Sequence, residues 1–185
     1  MQDSQESPLI WIDMEMSGLS PTQDEVLEIA VLITDKDLEI LAEGPSLIIN
    51  QPASLFGRMD AWNQEHHSKS GLWTSVVNSS INLEQAQDIV LDFLKKHVPA
   101  RQSPLCGNSI NQDRMFLMRH MPLVNDYLHY RMIDVSCLKE LTRRWYPEGP
   151  KAPSKANHHR ALDDIRESIA ELKFYRQNFF KPSRQ

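Results

Sequence analysis

A chain of 185 residues with 41% hydrophobic and 24% charged residues has a globular composition and the length of one domain. Its apolar runs are too short to cross a bilayer, and the polar, acidic residues 1–7 lack the basic and apolar regions of a secretory signal. A formal net charge of −5 excludes the broad basic stripe of a protein that grips long nucleic acid. A nucleic-acid substrate would have to present few phosphates, or meet metal cations.

Residues 9–14 alternate and favour β structure, which predicts a central strand; residues 26–34 read as a second, strongly apolar strand. Residues 40–49 hold one or two more, split by Gly44-Pro45, with Asp35-Lys36-Asp37 as a hairpin turn. Residues 59–66 fit a short helix. Asn82 is placed to cap a helix over 83–97 whose inner face is Ala86, Ile89, Val90, Phe93 and Leu94. Residues 104–107 read as a short buried strand, 111–121 as a helix stopped by Pro122, 131–134 as a short strand and 136–145 as a helix. The Pro- and Lys-rich residues 146–157 read as a mobile loop rather than a domain boundary, because only one long helix follows. That helix, over 159–179, has the inner set Ala161, Leu162, Ile165, Ile169, Leu172 and Phe179. The pattern predicts an α/β fold, a mixed five-stranded sheet flanked by helices, in a single domain over 1–185 with its core at 8–180. Cys106 and Cys137 each lie in an apolar segment without a Cys-x-x-Cys pair, so both are expected as buried free thiols in a reducing, cytoplasmic compartment.

Five residues in three segments carry the chemistry: Asp13 and Glu15, then Asp113, then His159 and Asp164. Asp13 and Glu15, two apart on a strand, point to one side, roughly 7 Å apart at their Cα atoms. Their neighbours are apolar, and carboxylates on a buried strand repel unless cations balance them. A solvated strand end is the plainer alternative. Asp113 precedes Phe116 and Leu117 by three and four, so on a helix it shares their inward face, in a first turn whose dipole favours negative charge. A helix-start aspartate would look the same. Asp164 falls in the N-terminal part of the last helix, which His159 opens; a neutral imidazole there is suited to take a proton from attacking water. His158 and Asp163 are adjacent candidates that spacing does not exclude. Two divalent ions roughly 4 Å apart activate water and stabilise a leaving oxygen, and oxygen ligands suit Mg2+ or Mn2+ over zinc. There is no His-Glu-x-x-His, no Gly-x-Ser-x-Gly and no P-loop. The residues alone thus point to a two-metal phosphodiester hydrolase.

Asp13-Met-Glu15, Asp113 and His159-Arg-Ala-Leu-Asp-Asp164 resemble the three motifs of the histidine branch of the DEDD exonuclease superfamily. The motif spacing of that branch selects His159 over His158 and Asp164 over Asp163. Residues 9–19, 104–109, 129–131, 134–136 and 163–168 are similar to the oligoribonuclease family, and the resemblance covers about residues 9–180. It implies a ribonuclease H-like fold, a homodimer, two Mg2+ or Mn2+ ions held by Asp13, Glu15, Asp113 and Asp164, and His159 as general base. It also implies 3′→5′ removal of nucleotides from very short single-stranded RNA, dinucleotides to about pentanucleotides. Leu19 and Trp62 would sandwich the 3′ base by sequence-blind stacking. Ser109, Arg131 and Ser136 would cap the 5′ phosphate with His67 nearby, and Tyr130 would reach into the partner's site. Plainer readings are core packing for Leu19 and Trp62 and an ordinary ion pair for Arg131. Two other functions compete: an exonuclease of the same branch that trims longer RNA or DNA, and a non-catalytic nucleotide-binding protein.

Overall fold

The strand Val26–Thr34 (β2) is buried at every one of its nine positions, which requires a strand on either edge and a layer on either face. In the computed structural model, which describes residues 6–153 and 160–180, β2 pairs antiparallel with β1 (Leu9–Met16) and with β3 (Ile40–Ile48). Beyond β1, β4 (Leu105–Gly107) and β5 (Met132–Asp134) join in parallel, so the five-stranded sheet has the order β3-β2-β1-β4-β5 and β1 lies at its centre. The helices are α1 (Ala61–Lys69), α2 (Leu72–Asn78), α3 (Leu83–His97), α4 (Asn111–His120), α5 (Pro122–Tyr127), α6 (Val135–Trp145) and α7 (Ala161–Phe179). None is long and apolar enough to cross a membrane.

Strand alternation assigns the two faces. Ile10, Ile12 and Met14 pack with Ala86, Val90 and Leu94 of α3 and Phe116 and Leu117 of α4. Trp11 packs on the opposite face with Val135 of α6 and Ala161, Ile165 and Ile169 of α7. Asp13 and Glu15 have the same parity as Trp11, so β1 delivers both carboxylates to the face that α7 covers. A smaller cluster of Leu27, Leu55, Met59, Leu72 and Val76 seats α2 and a single-turn segment, Ala53–Arg58, against the outer end of β2. The hairpin turn after β2 is closed by the Asp35 carboxylate, which accepts from the backbone N–H groups of Asp37 and Glu39 at 2.8 Å each. Asn82 caps α3 through a reciprocal pair: its side chain accepts from Gln85 N at 2.8 Å, and the Gln85 side chain accepts from Asn82 N at 2.9 Å.

Several expectations are corrected. β3 runs unbroken through Gly44-Pro45, because it is an edge strand, where a missing N–H is tolerated, and a register shift lies there. Any Cβ at Gly44 would sit 2.6 Å from the Phe93 ring. Ile89 is exposed, not inward; the buried stripe of α3 is Ala86, Val90 and Leu94, every fourth residue. The short helix near residue 60 begins at Ala61 and extends to Lys69, because Asp60 caps it by accepting from Asn63 N. Pro122 ends α4 but also opens α5, where a residue without an N–H costs nothing at the first helical position. The final helix starts at Ala161 with Arg160 as its N-cap; His159 and part of the 146–157 loop lie outside the described residues. Cys106 is a buried free thiol as expected, whereas Cys137 is free but exposed, because it falls on the outer side of the first turn of α6.

Candidate active site

Asp13, Glu15 and Asp164 converge. One carboxylate oxygen from each lies within 4.8 Å of the other two, where β1 faces the first turn of α7. Asp163, by contrast, is exposed one position away on the helix. The fourth acid, Asp113, lies outside that group, on α4, which packs on the opposite face. Asp113 is buried in the first turn of α4, and its Oδ1 accepts the Met14 N–H at 3.0 Å. The sheet makes room for this bond. β4 is registered against β1 only at Ile10 and Trp11, so the backbone of β1 farther along is open to a side-chain acceptor.

Burial and mutual repulsion dominate the electrostatics of these carboxylates. Burial, then the carboxylates of Asp164, Glu28 and Asp113, raise the Glu15 pKa from 4.5 to about 8, although the Arg160 guanidinium opposes them. Burial likewise raises Asp113 from 3.8 to about 7, against the hydrogen bonds from backbone N–H groups, including that of Met14. A cluster of hard oxygen donors that resists ionisation without positive charge fits Mg2+ or Mn2+. Asp13, Glu15 and Asp164 would hold such an ion.

Three residues missed in the sequence border this cluster. Glu28 is fully buried on β2, opposite Glu15 in the β1–β2 register. Arg160 grips it with Nε and Nη2 at 3.0–3.2 Å. The signal was legible in retrospect, since Glu28 is the one charged residue in the apolar run Val-Leu-Glu-Ile-Ala-Val-Leu-Ile-Thr. Asp134 is the third. Its Oδ1 accepts from Ser109 N and Ser136 N at 2.9 Å each, and the two serine hydroxyls lie 3.2 Å apart. Ser109 holds a left-handed φ of 51° to make this approach.

The remaining predicted residues fall as follows. Leu19 is 77% and Trp62 64% exposed, so neither is core. The Leu19 carbonyl accepts from Gln112 Nε2 at 2.6 Å, which ties its loop to the residue before Asp113. Trp62 stacks on His66 with ring centroids 4.4 Å apart. His67 is buried, and its Nε2 donates to the Met16 carbonyl at 2.9 Å, fixing α1 to the end of β1. Arg58 donates to the Gln23 carbonyl at 2.8 Å, so the segment preceding Trp62 is also bound to the Leu19 loop. Tyr130 is 72% exposed, with the Arg131 guanidinium 5.5 Å from its ring centre. Among the described residues Arg131 pairs with no carboxylate, so the ordinary ion-pair reading does not hold.

An exonuclease family model matches residues 10–172. The chain is 56% identical over 173 residues to an oligoribonuclease of Vibrio cholerae, covering 94% of this chain and 96% of that protein. It is 53% identical over 180 residues to the mitochondrial oligoribonuclease of Mus musculus, covering 97% of this chain and 76% of that one. Among solved structures it is similar to E. coli exonuclease I in complex with a dA16 oligonucleotide, with a TM-score of 0.74 at 15% identity, over 94% of this chain and 42% of that chain. The chain thus spans about two fifths of exonuclease I, and that likeness speaks for the fold, a ribonuclease H-like exonuclease fold. With the exonuclease family model matched over residues 10–172 and oligoribonucleases 53–56% identical over at least 94% of this chain, the chain belongs to the oligoribonuclease family of exonucleases.

Proposed function

We propose that this chain is a 3′→5′ exoribonuclease that hydrolyses very short single-stranded RNA, dinucleotides above all, to 5′-mononucleotides. The observation that carries the proposal is the convergence of Asp13, Glu15 and Asp164 within 4.8 Å, with the exposed Leu19 tied through its carbonyl to Gln112, the residue before Asp113. Asp13, Glu15 and Asp164 would hold divalent ions, Mg2+ or Mn2+, with Asp113 contributing from α4; two such ions would activate the attacking water and stabilise the leaving oxygen. His159, which lies outside the described residues, takes the proton of the water at an imidazole nitrogen. Leu19 and Trp62 grip the 3′ base by stacking. Ser109 and Ser136, with hydroxyls 3.2 Å apart, and the guanidinium of Arg131, which pairs with no carboxylate among the described residues, take the 5′ phosphate. The buried His67 supports this arrangement from the end of β1.

The same reading includes a homodimer in which Tyr130 completes the partner's site, supported by an aromatic ring left 72% exposed beside Arg131. It also includes a cytoplasmic location, supported by two free cysteines. A substrate-length series tests the substrate: with Mn2+ and labelled RNAs of increasing length, kcat/KM is expected to peak at the dinucleotide. A rate that holds or rises with length would favour an exonuclease trimming longer ends. Binding without turnover would leave a nucleotide-binding protein. Sedimentation of Tyr130→Ala beside the wild type tests the dimer separately.

A further inference from the structure

The Glu28–Arg160 pair joins the two elements that bring three of the acids together. Glu28 sits on β2 directly opposite Glu15 and is fully buried, with Ser46 Oγ donating to its Oε1 at 3.3 Å. Arg160 is the N-cap of α7, and its backbone carbonyl accepts the N–H of Asp164 at 3.0 Å. One residue therefore holds the sheet with its side chain and the Asp164 turn with its main chain. The guanidinium contacts are a fork, Nε to both carboxylate oxygens and Nη2 to Oε1, a geometry that fixes orientation as well as distance. Among the described residues α7 has no side-chain N-cap bond of its own.

We propose that Glu28 and Arg160 form a positioning strut that sets the distance between Asp164 and the Asp13–Glu15 pair, and with it the affinity of the site for divalent cations. This inference rests on the metal-dependent reading of the site. It makes a prediction opposite in sign to simple electrostatics. Arg160 lies close enough to lower the Glu15 pKa, so deleting its positive charge would by Coulomb's law alone tighten cation binding. Deleting a strut lets α7 drift from β1 and weakens cation binding instead. Groups that orient metal ligands from behind typically change affinity by about 10- to 100-fold when removed.

The experiment measures Mn2+ dissociation constants by electron paramagnetic resonance, in the absence of substrate, for the wild type, Arg160→Met, Arg160→Lys and Glu28→Gln. Thermal melts of the metal-free proteins run alongside. Arg160→Met is expected to weaken Mn2+ binding by roughly tenfold or more. Arg160→Lys keeps the charge and loses the fork, so it is expected to fall between Arg160→Met and the wild type. Should Arg160→Met not fold, Arg160→Lys carries the test: it keeps the charge, so electrostatics alone leaves Mn2+ binding unchanged, whereas loss of the fork weakens it; Glu28→Gln, which removes a negative charge, is expected to weaken binding on either account and sets the size of the electrostatic effect. Unchanged or tighter Mn2+ binding in the folded Arg160 variants overturns the strut. A wild type that binds no Mn2+ overturns both the strut and the metal-dependent reading. A wild type that binds Mn2+ but leaves RNA intact overturns the exoribonuclease reading alone, and the order of dissociation constants still decides the strut.

Discussion

The Met14 N–H and the Asp113 carboxylate, 99 positions apart in sequence, meet at 3.0 Å where the parallel ladder between β1 and β4 ends. Asp113 thus has two duties, closing the backbone of the central strand and contributing negative charge to the site. The two separate by substitution. Asp113→Asn keeps an oxygen acceptor for Met14, so its melting temperature is expected to stay close to that of the wild type while activity on a dinucleotide falls by about 10²–10³, the scale of one lost electrostatic contact. Asp113→Ala is expected to lose the same activity and about 1–3 kcal/mol of stability as well, because a buried N–H is left unmet. Thermal melts and steady-state rates on both variants check this, and full activity in Asp113→Asn would remove Asp113 from the site.

Without a cation, Glu15 titrates at about 8 and Asp113 at about 7, well above their ordinary 4.5 and 3.8. Between those limits the folded chain binds more protons than the unfolded chain, so the stability contributed by these groups is complete at low pH and is lost as pH rises through the folded values. The melting temperature of the metal-free protein is expected to fall from about pH 5 to about pH 8, and less steeply in Glu15→Gln. Saturating Mn2+ binds the deprotonated folded form and is expected to flatten or reverse the slope. Calorimetry across that window, with and without Mn2+, checks both. A metal-free slope identical in Glu15→Gln would contradict the assignment to Glu15.

Leu19 and Trp62 stand in solvent, so shortening them removes little from the core. Trp62→Ala is expected to change stability by less than about 0.5 kcal/mol. Its KM is expected to rise about 5- to 150-fold, corresponding to the ~1–3 kcal/mol of one base–aromatic stack. The rise is expected for all four bases alike, since stacking reads none of them. Kinetics on dinucleotides that differ only in the 3′ base check this, and a base-dependent loss would argue for edge recognition instead.

A control lies on the far side of the sheet. The reciprocal cap of Asn82 and Gln85 opens α3, whose buried stripe packs behind β1 and away from the α7 face. Asn82→Ala is expected to cost about 1 kcal/mol and leave kcat/KM unchanged. Chemical denaturation with parallel rates checks the pair of outcomes.

The parts of the fold that were legible in sequence are those where one local rule decides. β2 and α3 match their expected bounds residue for residue, one from a strongly apolar run and the other from the Asn82 N-cap. The segment Ala53–Arg58 and the helices α2 and α5 were not legible, being short elements held by tertiary burial of single residues such as Leu55, Leu72 and Val124. Ile89 misled because a helical stripe is narrower than its apolar residues. At the site, parity along β1 foretold the shared side of Asp13 and Glu15. The grip of Arg160 on Glu28, 132 positions away, obeys no local period and only emerges from the folded sheet.

β1 and β2 are consecutive, so the strand pair that carries Asp13 and Glu15 is encoded early in the chain. Asp164 lies on α7, far later in the sequence. During synthesis, which proceeds from the N-terminus, the emerging polypeptide carries its first acids for most of its length without the third. A nascent fragment that stops short of α7 therefore lacks Asp164, and with it the third acid of the cluster.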